Sequence, residues 1–437
     1  MPNPGREGQS KDSHGNSKLP DYMIVIISLV LQLALGLFLG HAYDMRIYLA
    51  TGYLVGTGQN PYIPQDLQAV FHNSSFQAMT SVGYPPPWPL LTGLIYLFSY
   101  RIIPNFFLYN LALKLPIIAA NICLAFLVAK ILNRLGANES VSHRAWLFML
   151  FNPLILYISV AWGQFDSIVS LLALLALVFL IDGKTAASTV LLALAISFKP
   201  TALPLVPAVF VFFLGKPIHK MVQYFGILSI VIVLVCVGPF VIFHWDPSFI
   251  LQHWNAQFSV GGGMSFMTFL ELLSNSYELP GLLWLVGFLW VPALLFVTFL
   301  LRSGSEGLTD LLKKSAALVM VFFLFRTWLS EPNLMLILPM LLILTSLGEL
   351  DPRSLTAVWV LTLIYSFFNT STFQLLFPSL PDLMNRLLQL SDVFRAARLA
   401  IRTITVIPWL FLGGWIVVSC LRNGQLRQKK IGATVLS

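Results

Sequence analysis

A carboxylate and a guanidinium stand two positions apart in His41-Ala42-Tyr43-Asp44-Met45-Arg46-Ile47-Tyr48, directly after an apolar run. A carboxylate beside low-dielectric material has its pKa raised, which suits a general base, and a nearby Arg pulls it down again. Spacing alone favours a plainer reading, an interfacial Asp-Arg pair among aromatic anchors. Further on, Phe198-Lys199-Pro200 sets a lysine at the end of an apolar run. Its charge must either meet an anion such as phosphate or snorkel to the membrane surface. Arg326-Thr327-Trp328-Leu329-Ser330-Glu331 places another cation and carboxylate at a helix junction, to line a pocket or to pin two helices as an ion pair. Asp166, closing Trp162-Gly163-Gln164-Phe165-Asp166, reads as the cap of the helix that follows, with Trp162 and Gln164 facing the outer side. His244-Trp245-Asp246 and His253-Trp254-Asn255 put rings beside His and Asn, as sugar sites do, although interfacial anchoring by Trp explains them more simply.

The elements that must position these residues are membrane helices. Of 437 residues, 57% are hydrophobic and 10% charged, where soluble proteins carry about 25% charged residues. That excludes a soluble globular enzyme. Apolar runs of roughly 20 residues, enough to cross the hydrocarbon layer, recur from Met23 almost to the end. The net charge of +8 then reflects cytoplasmic Lys/Arg bias and not nucleic-acid binding. With the N-terminus inside, most of the 26 Lys and Arg residues fall on the cytoplasmic side. About twelve crossings follow, both termini are cytoplasmic, and the chemistry-bearing residues lie on the outer side. Pro89 to Tyr100 is too short to cross and reads as a re-entrant or surface helix in the first outer loop. The expected organisation is a disordered tail over 1–21, a single membrane domain over 22–421 with outer loops at 41–110 and 244–278, and a basic tail over 422–437. Cys123, Cys236 and Cys420 all lie in apolar runs and read as small core hydrophobes. Gly261-Gly262-Gly263 reads as a flexible hinge, since no strand precedes it, and Walker, nucleophile-elbow and His-Glu-x-x-His signatures are absent from the sequence.

Read in order, Tyr43-Asp44-x-Arg46, Gly58-Gln59-Asn60-Pro61-Tyr62, Tyr84-Pro85-Pro86, Asn152-Pro153, Gly163-Gln164-Phe165-Asp166 and Phe198-Lys199-Pro200 form a series across the first half of the chain. This series resembles the C-type, polyprenyl-phosphate-sugar-dependent glycosyltransferases. The nearest likeness is to polyprenol-phosphate-mannose mannosyltransferases, with a weaker one to the GPI-anchor first-mannose transferases. The latter tend to carry a second acid two positions after the first, where this chain has Arg46.

The resemblance implies an all-helical fold and an inverting transfer of a hexose, mannose by likeness, from polyprenyl phosphate to a glycolipid or glycan acceptor. It makes Asp44 the catalytic base and implies donor-phosphate contacts from Lys199, Arg326 and Arg46. It implies a sugar or acceptor pocket drawn from Tyr48, Asn60, Tyr62, Tyr84, Trp162, Gln164, Asp166, His244, Trp245, His253 and Glu331. No metal ligands are assigned, although a divalent cation could share the work of the fixed cations on the leaving phosphate. Two other classes compete. A secondary transporter would place its charges near the bilayer midplane, and a non-catalytic scaffold of a cell-envelope glycan pathway would keep the fold without turnover.

Overall fold

The structure is a computed structural model that describes residues 20–435, apart from 78–80, 258–259, 278, 280 and 306. Most of the expected N-terminal tail lies outside the described residues, as do the side chains of the basic tail after Arg422. The fold is an all-helical bundle. Six helices are long and apolar enough to cross a membrane: Asp21–Phe38, Phe106–Arg134, Glu139–Trp162, Ile218–Ile242, Leu282–Leu300 and Arg395–Arg422. Five shorter apolar helices, Asp166–Ile181, Thr185–Phe198, Pro200–Phe213, Glu331–Ser346 and Pro352–Phe368, complete the bundle together with Leu308–Phe325. The described residues thus supply six helices of full spanning length and six further bundle helices, twelve candidate traverses in all.

The two ends differ in chemistry. One carries ion pairs between neighbouring connections, Arg134 with Asp182 at 2.5 Å and Lys313 with Glu349, and there His143 comes within 3.8 Å of Asp21. At the other end meet His41, Trp162, Asp166, Lys199, Arg326 and Glu331.

Two helices stand apart from the traverses. Ala42–Gly56 and Pro87–Phe98 run side by side in parallel from the site end, with Tyr48 against Trp88 and Tyr53 against Tyr96. Their approach depends on glycine. A Cβ at Gly52 would stand 2.2 Å from the Tyr109 hydroxyl and 2.7 Å from the Thr92 carbonyl, and one at Gly56 would stand 2.3 Å from the Tyr96 ring. Small residues four apart allow this kind of backbone contact between membrane helices.

In the middle of the bundle, polar side chains satisfy one another. Asn121 donates to Gln32 at 3.0 Å and Ser159 at 2.7 Å, Ser167 donates to Asn121 at 2.5 Å, and Gln32 donates to Ser28 at 3.0 Å. All five residues are buried. Away from water, hydrogen bonds of this kind join helices, because the alternative is an unpaired polar group. Of the cysteines only Cys420 is buried; Cys123 is exposed on the outside of the bundle and Cys236 is half-buried, so the reading of all three as core residues is corrected. Position on the helix face, which an apolar run does not reveal, decides the matter.

Gly262-Gly263 is no hinge. It pairs in parallel with Trp328-Leu329 as a two-residue strand. A Cβ on Gly263, whose φ is +68°, would overlap the Leu329 backbone. The glycines are there so that two backbones can touch, and the contact ties the 244–281 segment to the corner carrying Arg326 and Glu331.

Candidate active site

The first helix ends at Phe38, and the chain turns through Leu39 and Gly40 into Ala42–Gly56. His41 stands at the N-cap of this second helix, its Nδ1 3.5 Å from the Asp44 backbone nitrogen. The same imidazole nitrogen lies 3.2 Å from Asp44 Oδ2. Trp162 comes in from 118 residues away and its indole N–H donates to Asp44 Oδ2 at 2.6 Å, while its rings stack on His41 at 4.3 Å. The His41 backbone N–H donates to the Trp162 carbonyl at 3.0 Å and closes the corner. Trp162 ends a π-helical turn, Leu156–Trp162, and Gly163 follows in the left-handed region at φ +93°. Such turns occur where a helix must re-aim a functional side chain.

Asp44 does not pair with Arg46, so the expected Asp-Arg pair is corrected. Arg46 Nε donates to the Ala42 carbonyl at 2.6 Å instead. Burial works to raise the Asp44 carboxyl, but the bonds from His41 and Trp162 and the charge of Lys199 outweigh it and hold the pKa below the usual carboxylate value. Asp44 is therefore ionised at neutral pH, and its Oδ1 has no hydrogen-bond partner among the described residues. That is the state a proton acceptor needs.

Beside this corner opens a cavity of about 620 Å³. His41, Tyr43, Arg46 and Trp162 form one wall; Trp328, Ser330, Glu331, Asn369, Gln374 and Asn385 face them from the second half of the chain. Aromatic rings with a few amides and hydroxyls are the furniture of a polar-ligand pocket of ordinary size.

Lys199 meets a different fate from the one expected. Its ammonium donates to both oxygens of Asp166, at 2.9 and 2.7 Å, with both side chains buried, and it lies 5.4 Å from the centres of the Tyr84 and Phe165 rings. It neither snorkels nor stands open to a phosphate alone, and Asp166, at the first position of its helix, makes no side-chain cap. The reading of Asp166 as a cap is corrected: a buried carboxylate beside a buried ammonium gains more from the pair than from a backbone N–H.

Arg326 follows the Leu308–Phe325 helix and lies over the Phe322 ring at 5.1 Å. With the Asn333 amide turned so that its oxygen faces the guanidinium, that oxygen accepts from Arg326 at 3.2 Å. No Arg326-Glu331 pair forms among the described residues. Glu331, buried on the cavity wall, accepts from Asn369 at 3.0 Å, and Asn369 accepts in turn from Arg402 at 2.7 Å. Tyr48 and Gln164 join the site as support. Both are buried, and the Tyr48 hydroxyl donates to Gln164 at 3.2 Å.

Five expected pocket residues are placed elsewhere. Asn60 donates to the Asp246 carbonyl at 3.4 Å, the Tyr62 hydroxyl donates to the Tyr84 carbonyl at 3.0 Å, and the Tyr62 ring stacks on Phe240 and meets Trp245. His253 lies against Gly83, whose carbonyl accepts from Trp254 at 3.1 Å. Asn60, Tyr62, Trp245 and His253 thus belong to the clasp between the two loops, and neither they nor His244, which is exposed, line the cavity. Rings and amides that suit a sugar also suit a loop-to-loop contact. Conversely, Asn369, Gln374, Asn385 and Arg402 gave no signal as isolated polar residues in the sequence. Among the described residues no three His, Cys, Asp or Glu side chains gather as a metal site.

A bundle of apolar helices with a polar cavity at one end, walled by His41, Arg46 and Glu331 among others, has the architecture of a polytopic membrane protein with a polar site at that end. The N-terminal-domain model of the alpha-(1->6)-mannopyranosyltransferase family, MptA_B, matches residues 31–215, the part that holds Asp44, Trp162, Asp166 and Lys199. This bears out the resemblance to C-type glycosyltransferases carried by the ordered motifs. Among solved structures, that of ArnT from Cupriavidus metallidurans bound to undecaprenyl phosphate is similar, with 14% identity and a TM-score of 0.47 over 95% of this chain and 79% of that one. No curated protein matches the chain at a significant level.

Proposed function

We propose that the protein is an inverting glycosyltransferase that moves a hexose, mannose by its family likeness, from a polyprenyl-phosphate donor to a hydroxyl of a glycolipid or glycan on the outer membrane face. One observation carries the reading: an ionised carboxylate, Asp44, is gripped by His41 and Trp162, which line a polar cavity, and feels the charge of Lys199, to which Arg326 is a neighbour. The acceptor hydroxyl enters from the cavity and gives its proton to Asp44 as its oxygen attacks the anomeric carbon. The carbon–oxygen bond to phosphate breaks, and the electron pair leaves on polyprenyl phosphate. Because phosphate is a good leaving group, one base is enough and the remaining need is positive charge. Arg326, whose partner is a neutral amide, is the cation more free to meet that charge; Lys199, held by Asp166, adds to the field.

The alternation of cationic connections supports placing the site on the outer face. A transporter path finds less support, since the ion pairs lie at the two ends and the mid-bundle polar residues bond to one another. A scaffold without turnover would have no use for an ionised carboxylate with an open oxygen. The test is transfer of labelled mannose from a short-chain polyprenyl-phosphate-mannose by purified protein in liposomes containing a pool of membrane glycolipids. Transfer by wild type that is lost in folded Asp44→Asn supports the reading; equal transfer by both proteins removes Asp44 as base.

A further inference from the structure

Lys114 is completely buried in the Phe106–Arg134 helix. Among the described residues it has no carboxylate partner, and a cation so placed is costly unless something repays it. Its ammonium donates to the Leu39 carbonyl and lies 3.4 Å from the Gly36 carbonyl. One turn earlier on the same helix, Asn110 donates to Gly36 at 2.7 Å and to Leu39 at 3.0 Å. Gly36 belongs to the last turn of the first helix, whose carbonyls lack partners further along the helix and carry its negative end, and Leu39 is the extended residue that follows it. Lysine and asparagine together therefore close the C-terminus of the first helix, immediately before His41.

The lysine stem also touches the other arm of the site. A Cβ on Gly163 would stand 3.0 Å from Lys114 Cε and 2.3 Å from Met45 Sδ, so the corner after Trp162 is seated on Lys114 and on the helix of Asp44. His41 and Trp162 are the two side chains that hold Asp44 Oδ2. One side chain thus braces the segment leading into His41 and the segment leading out of Trp162.

We infer that Lys114 is a positioning residue, fixing through the Gly36 to Leu39 carbonyls and the Gly163 corner the His41–Trp162 grip on Asp44. The inference rests on the reading of Asp44 as the base. It assigns the buried lysine no contact with substrate and no proton to transfer.

Two readouts test it in full-length protein in liposomes, with Lys114→Met, which keeps the length of the stem without a donor, and Lys114→Gln, which keeps a donor without the charge. The first readout needs no substrate. The pH-dependent part of tryptophan fluorescence that disappears in Trp162→Phe reports titration of Asp44; its midpoint is expected to move to higher pH in Lys114→Met and to return part of the way in Lys114→Gln. The second is transfer: kcat is expected to fall about 10²-fold in Lys114→Met, the effect of slight misplacement of a catalytic group, with the donor KM unchanged. A folded Lys114→Met with the wild-type midpoint and kcat overturns the inference, as does one that raises KM alone. If Lys114→Met does not fold, Lys114→Gln is read against the same two criteria. Wild-type transfer that survives Asp44→Asn would instead overturn the reading beneath, and it would leave the fluorescence midpoint to decide the role of Lys114.

Discussion

Asp44 and Asp166 belong to one site, yet their surroundings give them different work. Asp166 has both oxygens taken by the Lys199 ammonium and is 1% exposed, so its charge is spent within the protein. Asp44 has one oxygen held by an indole N–H and a histidine, and its side chain is 17% exposed. A carboxylate meant to take a proton must be fixed in place without being neutralised, and an indole and an imidazole do that where a lysine would not. Sequence position alone does not separate the two, since both follow aromatic residues at the end of an apolar run.

The contrast breaks if the two aspartates respond alike to replacement. Asp44→Asn removes the base and is expected to lower kcat about 10²- to 10⁴-fold with little change in thermal unfolding, as read by transfer assay and by a melting curve in detergent. Asp166→Asn leaves Lys199 buried without its counter-charge and is expected to cost about 3–5 kcal/mol of stability. Combining Asp166→Leu with Lys199→Met should recover most of that stability, because an apolar pair of similar size replaces the ions, yet it should not recover transfer. A double variant that transferred normally would leave the phosphate to Arg326 and Arg46.

Removing one of the two groups that hold Asp44 has a smaller effect with a distinct signature. Trp162→Phe keeps the ring and deletes a hydrogen bond to a charged acceptor, which is worth about 1.5–3 kcal/mol. The sign follows from the lowered pKa of Asp44. In wild type the base stays ionised, and kcat stays level, until the pH falls below the usual carboxylate range. Without the indole N–H the pKa rises, so the acid limb of the pH-rate profile is expected to move to higher pH. An unmoved limb would make the Trp162 contact a matter of packing only.

Much of this site was legible because its motifs come in a fixed order and each carries an unusual residue. Asp44, Asp166 and Lys199 stand out in a chain with so few charges, and Trp162 travels with Asp166. Their partners were not legible. The Trp162 bond to Asp44 spans 118 residues, and the Asp166–Lys199 pair spans 33, across a helix turn whose geometry no local pattern dictates. Lys114 did leave a signal, a lone cation in the middle of an apolar run, which marks either a function or a brace. Asn369, Gln374 and Asn385 left none, since polar residues in connections are ordinary and only the fold turns these toward the cavity. The clasp between Asn60, Tyr62 and the 244–257 segment shows the opposite failure, with aromatic chemistry that looked like a site serving to join two loops.

The parallel helix pair below Asp44 offers a smaller test of whether its corner depends on the scaffold. Gly52→Ala puts a methyl group where the Thr92 carbonyl and Tyr109 hydroxyl already stand, and overpacking of this kind costs about 1–3 kcal/mol. The hydroxyl can swing away and the backbone carbonyl cannot, so the expected result is a lowered melting temperature with a moderate fall in kcat. A stable Gly52→Ala protein with normal kcat would show that the Ala42–Gly56 helix can shift without disturbing Asp44.

The smallest expected effect lies at the other end of the bundle and completes the contrast between ion pairs. Arg134 and Asp182 approach to 2.5 Å, closer than Lys199 and Asp166, but their side chains are 41% and 26% exposed. If distance ruled, this would be the stronger pair. Exposure rules instead, because water and salt screen both charges and each ion is well solvated when the other is removed. Arg134→Gln is therefore expected to cost no more than about 1 kcal/mol, to leave kcat and its pH profile unchanged, and to lose even that small effect at high salt. A loss comparable with that of Asp166→Asn would mean that the far end is drier than its exposure indicates, and that the distinction between a screened pair and a buried one does not separate the two ends of this protein.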